Sequence, residues 1–375
     1  MIDHRHSDVA IVGGGIIGCA IAYYLSNQRL RCSVFDSGSL AGEASQASAG
    51  MLAAFMEADA PGPLAKLCIA SQSRYAALAK RLYDETGIDI GYSQFGTIGI
   101  ARNEAELSEL KRRLEWFVGL GQAAEWLEPA QLRTLEPALA DRLLGGVHTP
   151  SDHSVSSYHT ALAFAEAAKR WGTRFYERTP VYRLLAENGR VIGVETAFGR
   201  MTADFVVVAA GSWSPSLLEP LHVKLPVYPV KGQCYSVILP FPLRRPVFAG
   251  KCYAVPKPDG TVVIGATQEE AGFDKKPTAE AIATLHETAK SMIPGMKDAK
   301  FVRTWAGLRP GNPNRKPIIG PVEGWEGLYV ATGHFRKGTL LAPATGEMMA
   351  SLITGFPTDL DAAPFAPKGH GLSEI

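Results

Sequence analysis

Cysteine is scarce in this chain of 375 residues. Cys19, Cys32, Cys68, Cys234 and Cys252 are odd in number, scattered, and form no Cys-x-x-Cys pair. That excludes a disulfide framework and a thiolate zinc site, so no metal is expected and the thiols read as reduced, in a cytoplasmic protein. An excess of one charge is also missing: 38 Lys and Arg stand against 37 Asp and Glu, interspersed, for a formal net charge of +1. The electrostatic footprint of a nucleic-acid binder is therefore absent. Every apolar run is cut short by Gly, Pro or charge before membrane-spanning length, so no membrane partner is expected. Residues 1–7 are polar and run straight into an apolar stretch that belongs to the fold, which argues against a signal peptide. There is neither an internal repeat nor a low-complexity tract.

What the chain does have is one dense unit near its start. Val9-Ala10-Ile11-Val12 is a short apolar run suited to a buried parallel strand. Gly13, Gly15 and Gly18 follow with G-x-G-x-x-G spacing, Ile16 to Leu25 reads as helix, and Cys32 to Phe35 as a second strand ending on Asp36. Each position has a mechanical reason. Gly13 permits a tight turn, Gly15 lets backbone approach a pyrophosphate, and Gly18 lets helix and strand pack closely. The helix N-terminus offers free amides and a positive dipole end to the phosphates. Asp36 is placed to accept the ribose hydroxyls of an adenosine, and its carboxylate disfavours a 2′-phosphate. FAD or NAD remains.

Beyond this unit the pattern changes. Gly38 to Glu57 is a run of small residues that lets backbone pass close to a flat ligand. Pro63 to Glu85 reads as one amphipathic helix ended by Gly87, Phe95 to Ala101 as a strand, and Glu104 to Leu120 as a charged-face helix. A helix from Tyr158 to Trp171 precedes strands at 174–177 and 180–184. Asn188-Gly189 marks a hairpin. Phe205 to Gly211 repeats the buried parallel strand with glycine at its carboxyl end, where the ligand crevice of an open α/β sheet lies. The β-rich stretch from Pro226, with a second hairpin at Pro258-Asp259-Gly260, reads as an antiparallel sheet roofing the site. The expected fold is thus α/β (α+β), with a discontinuous dinucleotide domain at 1–85, 145–225 and 300–365. A substrate domain at 86–144 and 226–299 interrupts it, and 366–375 is a tail.

Together these motifs resemble the FAD-dependent D-amino-acid oxidase and sarcosine oxidase family, and within it the glycine oxidases of thiamine biosynthesis. The resemblance runs from Val9 to about Gly355. Its carriers are the 11–18 glycine motif, Ala49-Gly50-Met51-Leu52, Val207 to Trp213, Pro229-Val230-Lys231-Gly232, Cys252-Tyr253, Trp305-Ala306-Gly307-Leu308-Arg309-Pro310-Gly311 and Gly333-His334-Phe335-Arg336. It implies a Rossmann-like domain with an inserted antiparallel substrate domain. It further implies non-covalent FAD, a small amino-acid substrate, molecular oxygen, and a homo-oligomer of the tetrameric kind. The family's FAD contacts fall on Gly13, Gly15, Ile16, Ile17, Gly18, Asp36, Ser37, Ala44, Ser45, Ala49, Gly50, Met51 and Val181. They continue along the loop His334, Phe335, Arg336, Lys337, Gly338, Thr339 and Leu340. Tyr253, Arg309 and Arg336 fall at the substrate.

Arg309 has the fork to hold an α-carboxylate by two charge-assisted bonds, Tyr253 can add a third, and His334 reads as structural rather than as a base. The implied reaction is oxidation of glycine, sarcosine or a small D-amino acid to the oxo acid, ammonia or amine, and hydrogen peroxide. Lys251 stands where the glycine oxidases commonly have histidine, Gln268 where they have methionine, and Lys337 where they have asparagine. No cysteine lies in the flavin loop for a covalent link, and Val262 to Gly265 lacks the lysine that sarcosine oxidases turn toward oxygen. The alternatives are a D-amino-acid dehydrogenase passing electrons to a quinone, docking through Pro240 to Ala249, a sarcosine oxidase, and a non-catalytic flavin-bearing protein.

Overall fold

The first apolar run becomes a central strand because both of its faces are covered. In the computed structural model, which describes residues 5–370, His6–Val12 lies between Cys32–Phe35 and Gly199–Val208, parallel to both. Val9 and Ile11 feed one core beneath the helix Ile16–Asn27, while Ala10 and Val12 feed another on the opposite face. That is the period-two alternation of a strand buried on both sides. Arg174–Tyr176 extends the sheet in parallel beyond Cys32–Phe35, and Leu328–Thr332 and the antiparallel Ile318–Pro321 extend it on the other side.

The strand expected over 205–211 is longer, Gly199–Val208. Its first half pairs antiparallel with Arg190–Thr196, which returns from Val181–Glu187 through Asn188 and Gly189, both at positive φ. Two left-handed residues in a row are what a type I′ turn needs.

The second sheet also has eight strands, and it takes two segments that the sequence assigns to the dinucleotide domain. Gly145–Thr149 pairs with Thr97–Ala101, and Lys300–Gly311 pairs along nearly its whole length with Tyr228–Ile238. Chain order misled here because a strand's place in an antiparallel sheet is chosen by pairing, not by sequence neighbourhood. The Gly38 to Glu57 run is likewise not all loop, since it holds the short helices Ala44–Ala47 and Ala54–Glu57. Of the expected tail, 371–375 lies outside the described residues, while Pro367 packs against Gly320. Among the described residues no helix is long and apolar enough to cross a membrane.

The single helix expected over Pro63–Glu85 is two, Pro63–Ser73 and Tyr75–Thr86, jointed at Arg74. The joint serves the last helix, Gly338–Thr354, which carries Pro343 in its second turn. Proline has no amide to give the Thr339 carbonyl, and the hydroxyl of Tyr75 donates to it instead. One residue on, Ser71 Oγ donates to the Leu340 carbonyl (2.7 Å) and accepts from the Ala344 amide (3.3 Å). Arg74 pairs with Glu347 of the same helix at 2.8 Å. The start of the last helix is thus opened by its own proline and closed by side chains from the jointed pair. Replacing Tyr75 with Phe strands a buried carbonyl and is expected to cost about 1–3 kcal/mol. Thermal melting reads this as a fall of several degrees, and an unchanged Tm would mean the carbonyl is satisfied otherwise.

Candidate active site

A continuous cavity of about 620 Å³ opens where the two sheets face one another, from the glycine turn at one end to Tyr253 and Arg309 at the other. At the first end, Gly13 sits at φ +111°, and a Cβ there would lie 2.5 Å from the Ala209 carbonyl. A Cβ on Gly18 would lie 1.9 Å from the Gly13 carbonyl, so strand and helix touch through these two residues. Gly15 is different. Its φ is −71°, open to any residue, and a Cβ would meet only Ser45 Oγ at 3.5 Å. No protein atom requires glycine at this point on the cavity wall; a ligand pressed against the backbone does.

Asp36 also lies on the wall and is oriented by the chain itself, accepting from the Gly14 and Gly38 amides at 2.7 Å each. Burial pushes its carboxyl up, opposed by those two amide bonds. Ser45 Oγ accepts from the Ile16 amide at 2.9 Å and fixes the helix start. Pro180 and Val181 line the same end, beside the stacked pair Phe35 and Tyr176. Ser212 Oγ, on the wall near Gly211, is buried with no hydrogen-bond partner.

The middle of the cavity is a seam between the two sheets. Gly307 has no Cβ because one would lie 2.4 Å from that of Ala47, and the Trp305 indole donates to the Ala47 carbonyl at 3.0 Å. Ser48 Oγ meets Thr339 Oγ1 at 3.2 Å, which reaches Ser157 at 2.9 Å. His334 lines the wall but is buried, with Nε2 at 3.0 Å from Thr345 Oγ1. Burial pulls its pKa down to about 3, so it is neutral at physiological pH.

At the far end the guanidinium of Arg309 lies over Gly232, where a Cβ would come within 2.3 Å of two of its nitrogens. Its Nη1 donates to the Thr267 carbonyl at 2.9 Å, and among the described residues no carboxylate pairs with it. Tyr253 packs beside Cys234, with its hydroxyl 3.5 Å from the sulfur. Burial drives the phenol well above its ordinary pKa, keeping it protonated and able to donate. Arg336 forms an ion pair with the buried Glu57 at 3.2 Å, with the Lys337 ammonium 3.9 Å from the same oxygen.

Gly13, Gly15, Ile16, Ile17, Asp36, Ser37, Ala44, Ser45, Ala49, Met51, Val181, Tyr253, Arg309 and His334 to Thr339 all line this one cavity. Gly18, Gly50 and Leu340 do not. Gly18 is a packing contact, Gly50 is pressed against the Val155 carbonyl, and Leu340 is wholly buried in the core. Lys251 and Gln268 are on the wall as well. Sequence reading missed Glu57, the buried acid that holds Arg336 and Lys337; its place at the end of a small-residue run gave no signal. It also missed the vacancy at Gly232, although the Pro-Val-Lys-Gly motif contained it.

The contrast between two glycines gives a test of what the cavity holds. Gly15→Val is expected to fold with a normal circular dichroism spectrum yet bind FAD at least about tenfold more weakly, since its side chain enters ligand space. Gly18→Val, blocked by backbone, is expected to lose the fold itself. Equal FAD retention by Gly15→Val and the unaltered protein would refute a pyrophosphate at Gly15.

Comparison with known proteins agrees with this geometry. The family described as FAD dependent oxidoreductase matches residues 8–352. A glycine oxidase of Geobacillus kaustophilus is 38% identical over 371 residues, covering 98% of each chain. The crystal structure of glycine oxidase from that organism superposes with a TM-score of 0.93, over 96% of this chain and 98% of that one. The "Bifunctional protein ThiO/ThiG" of Synechocystis is 35% identical over 92% of this chain and 51% of its own length. The open backbone at Gly15, the amide-held Asp36 and the unpartnered Ser212 suit a flavin dinucleotide, and the chain belongs to the FAD-dependent oxidoreductase family, with FAD as its cofactor.

Proposed function

We propose that this chain is a glycine oxidase. It converts glycine, and with it sarcosine and small D-amino acids, to the oxo acid, ammonia or amine, and hydrogen peroxide. The observation that carries the reading is Arg309: a guanidinium at the cavity end, stacked over a glycine and without a carboxylate partner among the described residues. Such a fork binds an α-carboxylate by two charge-assisted bonds. The protonated Tyr253 hydroxyl, close by in the cavity wall, donates a further bond. FAD, when bound, supplies the two-electron acceptor for the substrate Cα–H and passes the electrons to oxygen.

The protein's own part is position and field. Arg309 is itself held by the Thr267 carbonyl, so the substrate carboxylate meets a guanidinium already oriented. Arg336, tied to Glu57, keeps a second cation on the same wall. His334 is neutral and bonded to Thr345, which supports its structural role and leaves the substrate amine to enter unprotonated. FAD contacts are assigned to Gly13, Gly15, Ile16, Ile17, Asp36, Ser37, Ala44, Ser45, Ala49, Met51, Val181 and the loop 334–339.

Oxygen is favoured over a quinone as acceptor by the similarity to glycine oxidases. In the stretch 240–249, Leu243, Val247, Phe248 and Ala249 are buried, while Pro240, Phe241 and Pro242 are exposed. The acceptor is therefore read by experiment and not from this surface. The match to one part of a two-part ThiO/ThiG protein supports a product passed on to thiamine thiazole synthesis. A cytoplasmic homotetramer is part of the same proposal. The five free, buried cysteines suit a reducing compartment, and gel filtration of the holoenzyme reads the assembly.

The deciding experiment is a substrate panel of glycine, sarcosine, N-ethylglycine, D-alanine and D-proline, read by flavin bleaching without air and peroxide release with it. Flavin that stays oxidised with every member sinks the reading. Reduced flavin that waits for a quinone mimic and ignores oxygen transfers it to the dehydrogenase. Arg309→Ala removes two charge-assisted bonds of about 1.5–3 kcal/mol each. It is expected to raise KM for glycine about a hundredfold or more, with Arg309→Lys in between; an unchanged KM removes the clamp.

A further inference from the structure

Outside the residues assigned above, one half-buried lysine has no role in binding or catalysis. Lys257 stands just past the strand Cys252–Pro256, in the hairpin leading to Val262–Gly265. Its backbone amide closes that hairpin on the Thr261 carbonyl at 2.8 Å. The side chain leaves the hairpin and runs to the seam, where its ammonium donates to the carbonyls of Ala49 and, at 3.3 Å, Val155. Both acceptors are neutral. Among the described residues no carboxylate lies within ion-pair distance of it, and the anion that acts on it, Asp259, spends its own carboxylate on the Thr261 amide and hydroxyl. Burial pulls the ammonium down to about 8, as it does for a cation whose hydration is replaced only by dipoles.

The two carbonyls belong to segments that already grip one another. Val155 donates its amide to the Gly50 carbonyl at 2.8 Å, and a Cβ on Gly50, at φ +74°, would lie 1.9 Å from the Val155 carbonyl. Ser48 Oγ accepts from the Gly50 amide at 3.1 Å and meets Thr339 at the head of the last helix. Ala49 and Met51 line the cavity, and Lys257, bonded to the Ala49 carbonyl, is not itself a wall residue.

We propose that Lys257 is a positioning residue of the cofactor site, tying Ala49 to Val155 from behind the wall and setting a positive field across it. A wall of small residues can hold a flat ring only if its backbone is fixed, and Ala49 has no side chain able to do so. The ammonium supplies that fixing as a donor shared between two chain segments. Because no carboxylate neutralises it, its charge is felt across the thin wall at low effective dielectric. A cation in that place favours the electron-rich reduced state of whatever ring the wall carries. The inference rests on FAD as cofactor alone and stands whichever amine is oxidised.

Three variants of the holoenzyme separate the donor from the charge. Lys257→Met removes both, Lys257→Gln keeps a neutral donor, and Lys257→Arg keeps donor and charge. FAD dissociation from each is measured by fluorescence titration of the apoprotein, and the flavin midpoint potential by dye-coupled reduction. Lys257→Met is expected to bind FAD about tenfold more weakly. Both Met and Gln are expected to lower the potential by about 30 mV, a tenfold shift in the two-electron equilibrium. Arg is expected to restore both. A folded Met variant that matches the parent in FAD affinity and potential overturns the proposal. If Met does not fold, a Gln variant with the parent potential overturns the field, because a purely structural lysine would leave that reading unmoved.

Discussion

The site depends on how closely two backbones are allowed to approach at Ala47 to Ala49. The antiparallel sheet has a core of its own, but the main core also takes in Ala101 and Val147 from that sheet, and a small cluster joins Ala49 to Cys234, Val255, Val263 and Ala266. At the cavity itself the two sheets meet in a seam of small residues. Gly307 sits against Ala47, the Trp305 indole and the Lys257 ammonium bond to backbone carbonyls there, and Ser48 reaches Thr339. Any larger residue at 47 or 307 would wedge the sheets apart and displace Arg309, two residues along the same strand. The proposed clamp for the substrate and the wall proposed for the cofactor are thus positioned by one contact.

Around that seam most of the acids are matched to cations, while Arg309 is left without a carboxylate among the described residues. Glu57 is buried with Arg336 and Lys337, a costly arrangement unless each charge has its partner. Glu106 is matched by Arg102, Glu109 by Arg112 and Arg113, and Asp59 by Arg113, all along the same cavity. Arg309, by contrast, meets the Thr267 carbonyl and the vacancy above Gly232, with no carboxylate partner among the described residues. An arginine held ready but not neutralised is what distinguishes a binding residue from a structural ion pair.

The local motifs were legible because their physics is local. Gly13, Gly15, Gly18 and Asp36 act within one strand–helix–strand unit, and their spacing alone fixes the turn, the close packing and the acid. Arg309 and Tyr253 were readable through longer motifs, but the sheet that carries Arg309 was not. Lys300–Gly311 joins Tyr228–Ile238 by a register that no nearby residue signals. Glu57, Lys257 and the jointed helix pair escaped for the same reason. The Arg74 joint has neither glycine nor proline to mark it, and its purpose, repairing the backbone at Pro343, lies far away in the chain.

Proton bookkeeping narrows the chemistry further. Of the groups on the wall near the substrate end, His334 is neutral, Tyr253 is protonated, and Arg309 and Arg336 are permanently charged. Glu57 is committed to its two cations. None of these groups is poised to take a proton from the substrate near neutral pH, so they suit a mechanism that needs no protein base at Cα. Transfer of hydrogen with its electrons, from an amine that has already shed its proton, asks of this wall only orientation and positive charge. Those are the two things it is built to give.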